Sequence, residues 1–381
     1  MILIIVLVIS VLLNLIFIVF DFGPFYWPKI ERKINPYKSL NRDWNLRQSI
    51  FLEAALKTMY RKKPLMVWKD PRGISEQLFE LKHHTSKASF KKYNYPRAFL
   101  LYGICEYALV TKDENVLSTL RHCFDKYLDL EGNPTFVIDK VDQSGFGIVA
   151  IKLYRVYKEQ KYYNFASHIF EYLLNNFEKN NTFLLYRPGQ KAWLNDVLGL
   201  TIPFLVEYYK LTSIETSILI AKQQVQHFIK SGIDLQTFIP AHGIDLTTNL
   251  KIGSANWGRG IGWFYIALKE LYDFDGSFKK EYLGLSNTLL NATTEEGLWS
   301  QFPGSSNYYD ASATITFLYC LPSTTYNLIL MLEKLDKYIS KGGFIKQTSG
   351  DTYGANSYSK TFGLSEFSQG MMLLLLSKHK K

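Results

Sequence analysis

The feature that most constrains the fold of this chain is a repeated pair of helices joined by a short polar turn. From about residue 45 onward, apolar residues recur at spacings of three and four, which predicts helices, and sustained strand-like alternation is scarce. Four copies of the pair are clear, with turns at residues 111–113, 158–160, 212–213 and 275–276. A period of roughly 50 to 60 residues between turns is typical of repeat architectures.

Helices over residues 51–61 and 326–339 supply the first and last copies, so that about six pairs fit in the chain. Six pairs can form an open solenoid or close into a barrel of inner helices wrapped by outer ones. The long connections at 130–147, 180–203, 232–262 and 295–314 are rich in Gly, Trp, His and Asp. In a closed barrel they converge at one mouth, where function usually concentrates. We therefore predict a closed, all-α toroid of six hairpins.

The chain of 381 residues is 47% hydrophobic, which suffices for one large core, and no Pro/Gly/Ser-rich linker divides the helical region. We predict a single domain over residues 45–381. The net charge is +10, but the basic residues are scattered and form no long block interleaved with aromatic residues. Such a surface favours an acidic ligand, such as a uronate or another anionic glycan, over nucleic acid. The oligomeric state is not indicated.

Residues 1–20 contain no charged side chain, and a helix of about 20 apolar residues can cross the hydrocarbon core of a bilayer. We predict that residues 1–22 form a single-pass membrane anchor or an uncleaved signal, with a linker over residues 23–44. A cleavable signal fits less well, because no Lys or Arg precedes the apolar run and aromatic residues follow it. Lys29, Arg32, Lys33 and Lys38 favour a cytoplasmic domain, with a periplasmic or extracellular one as the alternative.

Residues 256–263 read Asn-Trp-Gly-Arg-Gly-Ile-Gly-Trp and place two indoles and a guanidinium on a glycine-rich turn before a helix. Indole faces stack on pyranose rings, and a guanidinium holds a carboxylate through two parallel hydrogen bonds. Trp257, Arg259 and Trp263 are therefore predicted to bind a charged sugar. The alternative is a buried aromatic corner in which Arg259 pairs with an internal Asp or Glu.

Asp196 and Asp142 are the candidate catalytic residues, each placed just before an apolar helix. Two carboxylates that face one cavity repel each other, which raises the pKa of one of them toward that of a useful proton donor. The alternative for Asp196 is a helix N-cap. His242 and Asp245 lie in the loop before the tryptophan segment and are candidate substrate-binding residues. The alternative for His242 is a purely structural histidine.

No metal or cofactor is predicted. No second His or Cys stands at ligand spacing from His242, and Cys105, Cys123 and Cys320 lie in apolar contexts that suit core residues. Neither a glycine-rich phosphate loop nor a Gly-x-Ser-x-Gly motif is present in the sequence.

The motifs also follow a recognisable order. In sequence these are Val141-Asp142 with Gly147 and Leu153-Tyr154, Asp196-Val-Leu-Gly-Leu-Thr-Ile-Pro203-Phe204-Leu205, His242-Gly-Ile-Asp245, Trp257-Gly-Arg-Gly-Ile-Gly-Trp263, Asp310-Ala-Ser312-Ala-Thr314 and Ser368-Gln369-Gly370-Met-Met-Leu-Leu. Over roughly residues 95 to 377 this order resembles the unsaturated uronyl hydrolases of glycoside hydrolase families 88 and 105, which include unsaturated rhamnogalacturonyl hydrolases.

The resemblance implies an (α/α)6 barrel and hydrolysis of oligosaccharides that carry a Δ4,5-unsaturated uronic acid at the non-reducing end. It implies that Asp196 protonates C4 and then accepts a proton from the water that adds at C5. Asp142 and His242 would hold sugar hydroxyls, and Arg259 with the tryptophans would orient the ring. The chemistry requires no metal or nucleotide.

The chain departs from the pattern of these families in three places. Leu194 stands where many relatives have Trp, and the indole is displaced to Trp193, which is predicted to contact the substrate. Asp310 replaces a frequent Glu, and Asp142 lies five residues before Gly147, one more than expected. Two alternatives therefore remain: a catalytically weak, membrane-anchored glycan-binding accessory protein of polysaccharide assembly, and another (α/α)6 glycosidase or lyase. An inverting glycosidase would need a second carboxylate about 6.5 to 9.5 Å from Asp196.

Overall fold

The computed structural model describes residues 1–19, 44–61, 93–180, 183–253, 256–306, 308–352, 354–359 and 362–380. Within these residues the chain is mostly α-helical and has a few very short strands. The helices are α1 Ile2–Phe17, α2 Trp44–Met59, α3 Tyr95–Thr111, α4 Glu114–Phe124, α5 Ser144–Tyr157, α6 Gln160–Asn180, α7 Asp196–Thr212, α8 Glu215–Gly232, α9 Gly258–Asp275, α10 Lys279–Asn291, α11 Ala311–Cys320, α12 Leu328–Leu335 and α13 Glu366–Lys378. Short 3-10 helices lie at Asp125–Tyr127, Val141–Gln143, Ser323–Thr325 and Asp336–Tyr338.

Alternate helices form a closed ring. In the described part of the chain, α3, α5, α7, α9, α11 and α13 each pack against the next, and α13 packs against α3. Helices α4, α6, α8 and α10 lie outside this ring, and α2 covers the junction of α3 and α13. The prediction of an all-α six-hairpin toroid is thereby confirmed.

The inner helices are apolar around most of their circumference. In α3 every residue from Pro96 to Ala108 is buried, and in α13 every residue from Glu366 to Ser377 is buried. A helix that is apolar all round packs on all sides. The two helices that close the ring touch backbone to backbone, since a Cβ added at Gly103 would lie 2.2 Å from the carbonyl oxygen of Gly370. A side chain at either glycine would force the ring open.

The four predicted turns lie where helices end. Each contains a C-cap residue in the left-handed region, with φ of 57° at Lys112 and Lys158, 59° at Ser213 and 79° at Gly276. This conformation ends a helix and reverses the chain. The hairpin period predicted from the spacing of these turns therefore agrees with the structure.

The N-terminal prediction is corrected by the structure. Among the described residues, no helix combines the length and apolar character needed to cross a membrane. Helix α1 has 16 residues and so extends about 24 Å, less than the hydrocarbon core of about 30 Å. The predicted single-pass anchor at residues 1–22 is therefore wrong, as is the localisation that was based on it, and the predicted contact of residues 1–20 with a bilayer is not supported. The predicted linker at 23–44 lies outside the described residues, apart from Trp44.

Short strands connect the helices near the helix starts. Strands β1 Ala192–Leu194, β2 Gly243–Asp245 and β3 Lys251–Ile252 form an antiparallel sheet in that order, and β4 Thr348–Ser349 pairs with β5 Phe362–Gly363. In the first sheet, Leu194 pairs with Gly243. This register brings the chain just after β1 next to the chain just before β2.

Candidate active site

A cavity of about 410 Å³ opens at the end of the toroid where the inner helices α3, α7 and α9 begin. Its wall combines aromatic side chains with carboxylates, an imidazole and a guanidinium. The lining residues are Tyr95, Tyr186, Arg187, Gln190, Leu194, Asp196, Leu200, His242, Trp257, Trp263, Asp351, Thr352 and Gly354. Four of the residues predicted from the sequence therefore meet in one wall: Asp196, His242, Trp257 and Trp263.

The sheet positions Asp196 beside His242. Asp196 is the first residue of α7 and directly follows β1 and Asn195. The backbone N–H of Asn195 donates to the carbonyl oxygen of His242 at 2.8 Å, and the N–H of His242 donates to Gly253 at 3.0 Å. The backbone of His242 and that next to Asp196 are thus fixed by hydrogen bonds at the ends of the three strands.

One proton lies between Asp196 and His242. Nε2 of His242 is 2.9 Å from Oδ2 of Asp196, and Nδ1 is 3.2 Å from the carbonyl oxygen of Ala355. Because a carbonyl oxygen only accepts, Nδ1 must carry a hydrogen. The Nε2–Oδ2 contact then has two forms, an imidazolium with a carboxylate or a neutral imidazole with a protonated carboxyl. The contact can therefore hold one proton next to the cavity.

The electrostatics of His242 favour its protonated form. Burial lowers the pKa of the imidazole, but the negative charge of Asp196, its hydrogen bond and the carbonyl of Ala355 raise the pKa by more. The net effect is a pKa above the ordinary value. The side chain of Asp196 is 15% exposed whereas that of His242 is 2% exposed, so the carboxyl is the more accessible member of this pair.

Asp142 is buried beside the cavity and does not line it. Burial raises the pKa of its carboxyl to about 6, while Lys140 and the Tyr186 hydroxyl lower the pKa in part. Asp351 contributes a further rise in this pKa and Arg187 a further decrease. A raised pKa was expected here from repulsion by a second carboxylate, and burial is its largest cause. Neither oxygen of Asp142 makes a hydrogen bond of ordinary geometry to a described residue.

Two of the three candidate tryptophans face the cavity. Trp257 and Trp263 line it, and Trp257 lies over His242 with ring centroids 4.9 Å apart. Trp193 instead stacks on Phe183 at 4.7 Å, behind the wall. In β1 alternate side chains face opposite sides, so Leu194 faces the cavity and Trp193 does not. The displaced indole therefore does not replace the tryptophan of the relatives.

Arg259 is part of a buried ion pair and does not line the cavity. Its Nη2 lies 3.1 Å from Oδ1 of Asp351 and also donates to the carbonyl oxygen of Gly350. Asp351 accepts a second hydrogen bond from the Tyr95 hydroxyl. Burial raises the pKa of Asp351, and Arg259 and Tyr95 lower it in part. The structure thus realises the alternative in which Arg259 pairs with an internal carboxylate.

Asp245 also lies away from the cavity. Its Oδ1 accepts hydrogen bonds from the backbone N–H groups of Thr247 and Thr248, at 2.9 and 2.8 Å. These bonds lower the pKa of Asp245 and fix the turn between β2 and β3. The geometry gives Asp245 a structural role in the turn rather than contact with a substrate.

Several lining residues were missed by the sequence analysis: Tyr95, Tyr186, Arg187, Gln190 and Asp351. Residues 183–190 belong to the long connection at 180–203 that the sequence analysis singled out, but their side chains form no recognisable motif. Asp351 lies between glycines 350 and 354 in a separate connection, and this glycine-flanked carboxylate was a signal that could have been used. Among the described residues, no group of three or more His, Cys, Asp and Glu side chains is arranged to hold a metal.

Comparison with known proteins identifies the family. The family model described as Glycosyl Hydrolase Family 88 matches residues 74–363, well over half of the chain. The chain belongs to glycosyl hydrolase family 88. The resemblance drawn from the motifs is thereby confirmed. A search of curated proteins gave no match to this family 88 chain.

Solved structures share the fold of this family 88 chain. A possible family 105 member from Salmonella enterica superposes with a TM-score of 0.68 at 18% identity, over 91% of this chain and 96% of its own. A possible family 105 member from Klebsiella pneumoniae gives 0.66 at 18% identity, over 76% and 82%. A family 88 glycosyl hydrolase from Bacteroides vulgatus gives 0.57 at 15% identity, over 80% and 99%.

Proposed function

We propose that this chain hydrolyses oligosaccharides that end in a Δ4,5-unsaturated uronic acid, with Asp196 as general acid and base. The observation that carries the proposal is the Asp196–His242 pair at the wall of a cavity lined by two indoles. The carboxyl has the partly exposed position of a proton donor, and the buried imidazole holds it in place. Membership of family 88 supports the same reaction class.

The reaction needs one carboxyl that first gives and then regains a proton. The protonated carboxyl of Asp196 donates to C4 of the enol ether, which leaves positive charge on C5 and the ring oxygen. Water adds at C5 and returns a proton to Asp196. The C5 hemiketal opens to a ketone, and the hemiacetal left at C1 expels the aglycone. One water is consumed, and Asp196 ends in its starting state.

His242 is proposed to position Asp196 and to balance its charge. With Nδ1–H held by Ala355, Nε2 of the neutral ring accepts from the protonated Oδ2 of Asp196, and this shared proton is the one that passes to C4. The proton that water gives up at C5 then returns to Oδ2. Fixing acid, water and ring in one geometry supplies much of the rate increase.

Asp142 is proposed to act through Tyr186. Tyr186 lines the cavity, and its hydroxyl lies next to the buried carboxyl of Asp142; burial and the charge of Asp142 both raise the pKa of Tyr186. A tyrosine whose single hydrogen is directed to Asp142 is a suitable acceptor for a sugar hydroxyl. Trp257 and Trp263 are proposed to contact the faces of the sugar.

An inverting glycosidase is less well supported. It would need a second carboxylate to activate water, and Asp351 is the other carboxylate in the described cavity wall. Its Oδ1 already accepts from Tyr95 and pairs with Arg259. These two contacts engage the carboxylate of Asp351 in holding Arg259 and Tyr95, so it is poorly placed to activate a water molecule.

The test is an absorbance assay with the full-length chain. Oligosaccharides produced by a polysaccharide lyase absorb in the ultraviolet through the conjugated double bond, and the proposed reaction removes this absorbance. We expect loss of absorbance with unsaturated substrates and no release of reducing ends from the matched saturated ones. Binding without any loss of absorbance would favour the glycan-binding role. Release of reducing ends from saturated substrates would favour another glycosidase.

A further inference from the structure

We propose that a second cavity, separate from the active cavity, binds a uronic acid residue of a glycan. The second cavity has a volume of about 320 Å³ and lies between the end of α2, the start of α3 and the 3-10 helix that follows α4. Ligand pockets usually measure about 300 to 1,000 Å³. Tyr95 in the first turn of α3 lines the active cavity, and Arg97 in the same turn lines the second one. The two cavities are therefore neighbours at this helix start.

The wall of the second cavity combines three cationic side chains with three tyrosines. These residues are Arg61, Arg97, Lys126, Tyr60, Tyr93 and Tyr127. No Asp or Glu is found among the described residues that line this cavity. Side chains of one charge around a cavity concentrate the electrostatic potential and attract a ligand of the opposite charge. The second cavity therefore favours an anion.

Two of the three cations are available to a ligand. Arg97 is buried, and its Nε and Nη2 each donate to a carboxylate oxygen of Glu366 at 2.7 Å, so its charge is already balanced. Arg61 and Lys126 are exposed, and neither side chain forms an ion pair within the part of the chain that the structure describes. A guanidinium donates two parallel hydrogen bonds to a carboxylate, and an ammonium group adds a point charge.

The tyrosines favour a sugar ring over a bare anion. Tyr60 is 56% exposed beside the cavity. Tyr93 and Tyr127 meet edge to face, with ring centroids 5.9 Å apart. Aromatic rings contact the C–H faces of a sugar, and a tyrosine hydroxyl forms hydrogen bonds with its hydroxyl groups. A uronic acid residue presents both a ring and a carboxylate, so it matches the cations and the tyrosines together.

This proposal goes beyond the proposed function. The second cavity recognises charge and ring shape, and its ligand needs no double bond. It binds a saturated part of an acidic glycan next to the active cavity, whether or not the glycan is cleaved there.

The test is calorimetric binding of saturated tetragalacturonate to the full-length chain. The double variant Arg61→Gln/Lys126→Gln is expected to raise the Kd about tenfold or more, because two charge-assisted contacts are lost. The control Lys279→Gln/Lys280→Gln removes the same charge from the exposed start of α10 and should change the Kd by less than about twofold. Tyr60→Ala should raise the Kd about three- to tenfold without a change in net charge. Trp257→Ala, in the wall of the active cavity, should retain the binding.

Three results would overturn the proposal. The first is a Kd that stays unchanged in Arg61→Gln/Lys126→Gln, including the case in which the wild type does not bind. The second is binding that is lost in Trp257→Ala and kept in the double variant, which would place the ligand in the active cavity. The third is inorganic sulfate that binds as tightly as tetragalacturonate, which would show a site for a bare anion. If the wild type removes no absorbance from unsaturated substrates, the proposed function fails, and this binding measurement still decides the role of the second cavity.

Discussion

Nε2 of His242 lies 2.9 Å from Oδ2 of Asp196, and the two residues flank paired strands of one small sheet, since Asp196 follows β1 and His242 precedes β2. The register of β1 and β2 sets this distance, since Leu194 pairs with Gly243 immediately beside them. The candidate acid is therefore positioned by backbone pairing and by one buried ring. A substitution of His242 should therefore change both the stability of the fold and the rate of catalysis, and the two effects should depend differently on pH.

The contribution of His242 to stability should decrease at high pH. Its folded pKa is raised above the ordinary value, so the stabilisation is fully present below the unfolded pKa of about 6.5 and is lost as pH rises through the folded pKa. We expect the difference in unfolding free energy between wild type and His242→Asn to be larger at about pH 5.5 than at about pH 9. Unfolding in urea at each pH measures this difference in free energy. His122→Asn on an exposed face of α4 is the control, and a difference that grows with pH would contradict the account.

Removal of the charge of Asp142 should stabilise the fold. Its pKa is about 6 in the folded chain, above the value of about 3.9 in an unfolded one. The stability of the wild type therefore falls as pH rises from about 4 to about 6. At about pH 8, Asp142→Asn should be more stable by up to about 3 kcal/mol, and the two proteins should converge near pH 4. The exposed neighbour Asp139 offers a matched control, Asp139→Asn, and equal urea midpoints for wild type and Asp142→Asn at the higher pH would refute the prediction.

The pair of Arg259 and Asp351 should dominate the stability of the mouth of the toroid. Arg259→Gln leaves a buried carboxylate without its cation and is expected to cost about 3 to 5 kcal/mol. Adding Asp351→Asn should restore part of this loss, because the uncompensated charge is removed. A double-mutant cycle in urea measures the coupling. The exposed pair of Lys57 and Glu53 serves as the comparison, with coupling below about 1 kcal/mol, and coupling equally weak at Arg259 would show that the buried pair is not formed.

Trp257 and Trp193 should respond differently to substitution. Trp257→Ala removes an indole from the cavity wall and is expected to raise KM about five- to tenfold for the unsaturated substrate. Trp193→Phe alters a ring stacked on Phe183 behind the wall, so it should lower stability and leave KM within about twofold of the wild type. Initial rates of absorbance loss give both values. A higher KM for Trp193→Phe than for Trp257→Ala would contradict the prediction, because it would show that the sugar does not bind against Trp257.

Local sequence patterns predicted the helices and their turns well. The spacing of apolar residues reports directly on which face of a helix is buried, and the end of a hairpin is a local event, as at Lys112 and Ser213. The motifs also led to Asp196 and His242. These two residues lie 46 positions apart. Their assignment to one site came from the order of the motifs along the sequence and not from any local pattern.

Other features depend on contacts that local patterns do not encode. Arg259 meets a carboxylate that is distant in sequence, so its partner could not be read from its own motif. Strand β1 has three residues, too few for a visible alternation, and a shift of one residue exchanges the faces of Trp193 and Leu194.

The central claim is that the carboxyl of Asp196 transfers the proton to C4. The most direct measurement is the turnover rate of Asp196→Asn on an unsaturated uronyl disaccharide, followed by loss of ultraviolet absorbance, together with the dissociation constant of the same ligand. The account predicts a rate lower by about 10² to 10⁴ with binding largely retained, because the amide keeps the shape of the side chain and cannot donate the proton. An Asp196→Asn variant that turns over at the wild-type rate would contradict it.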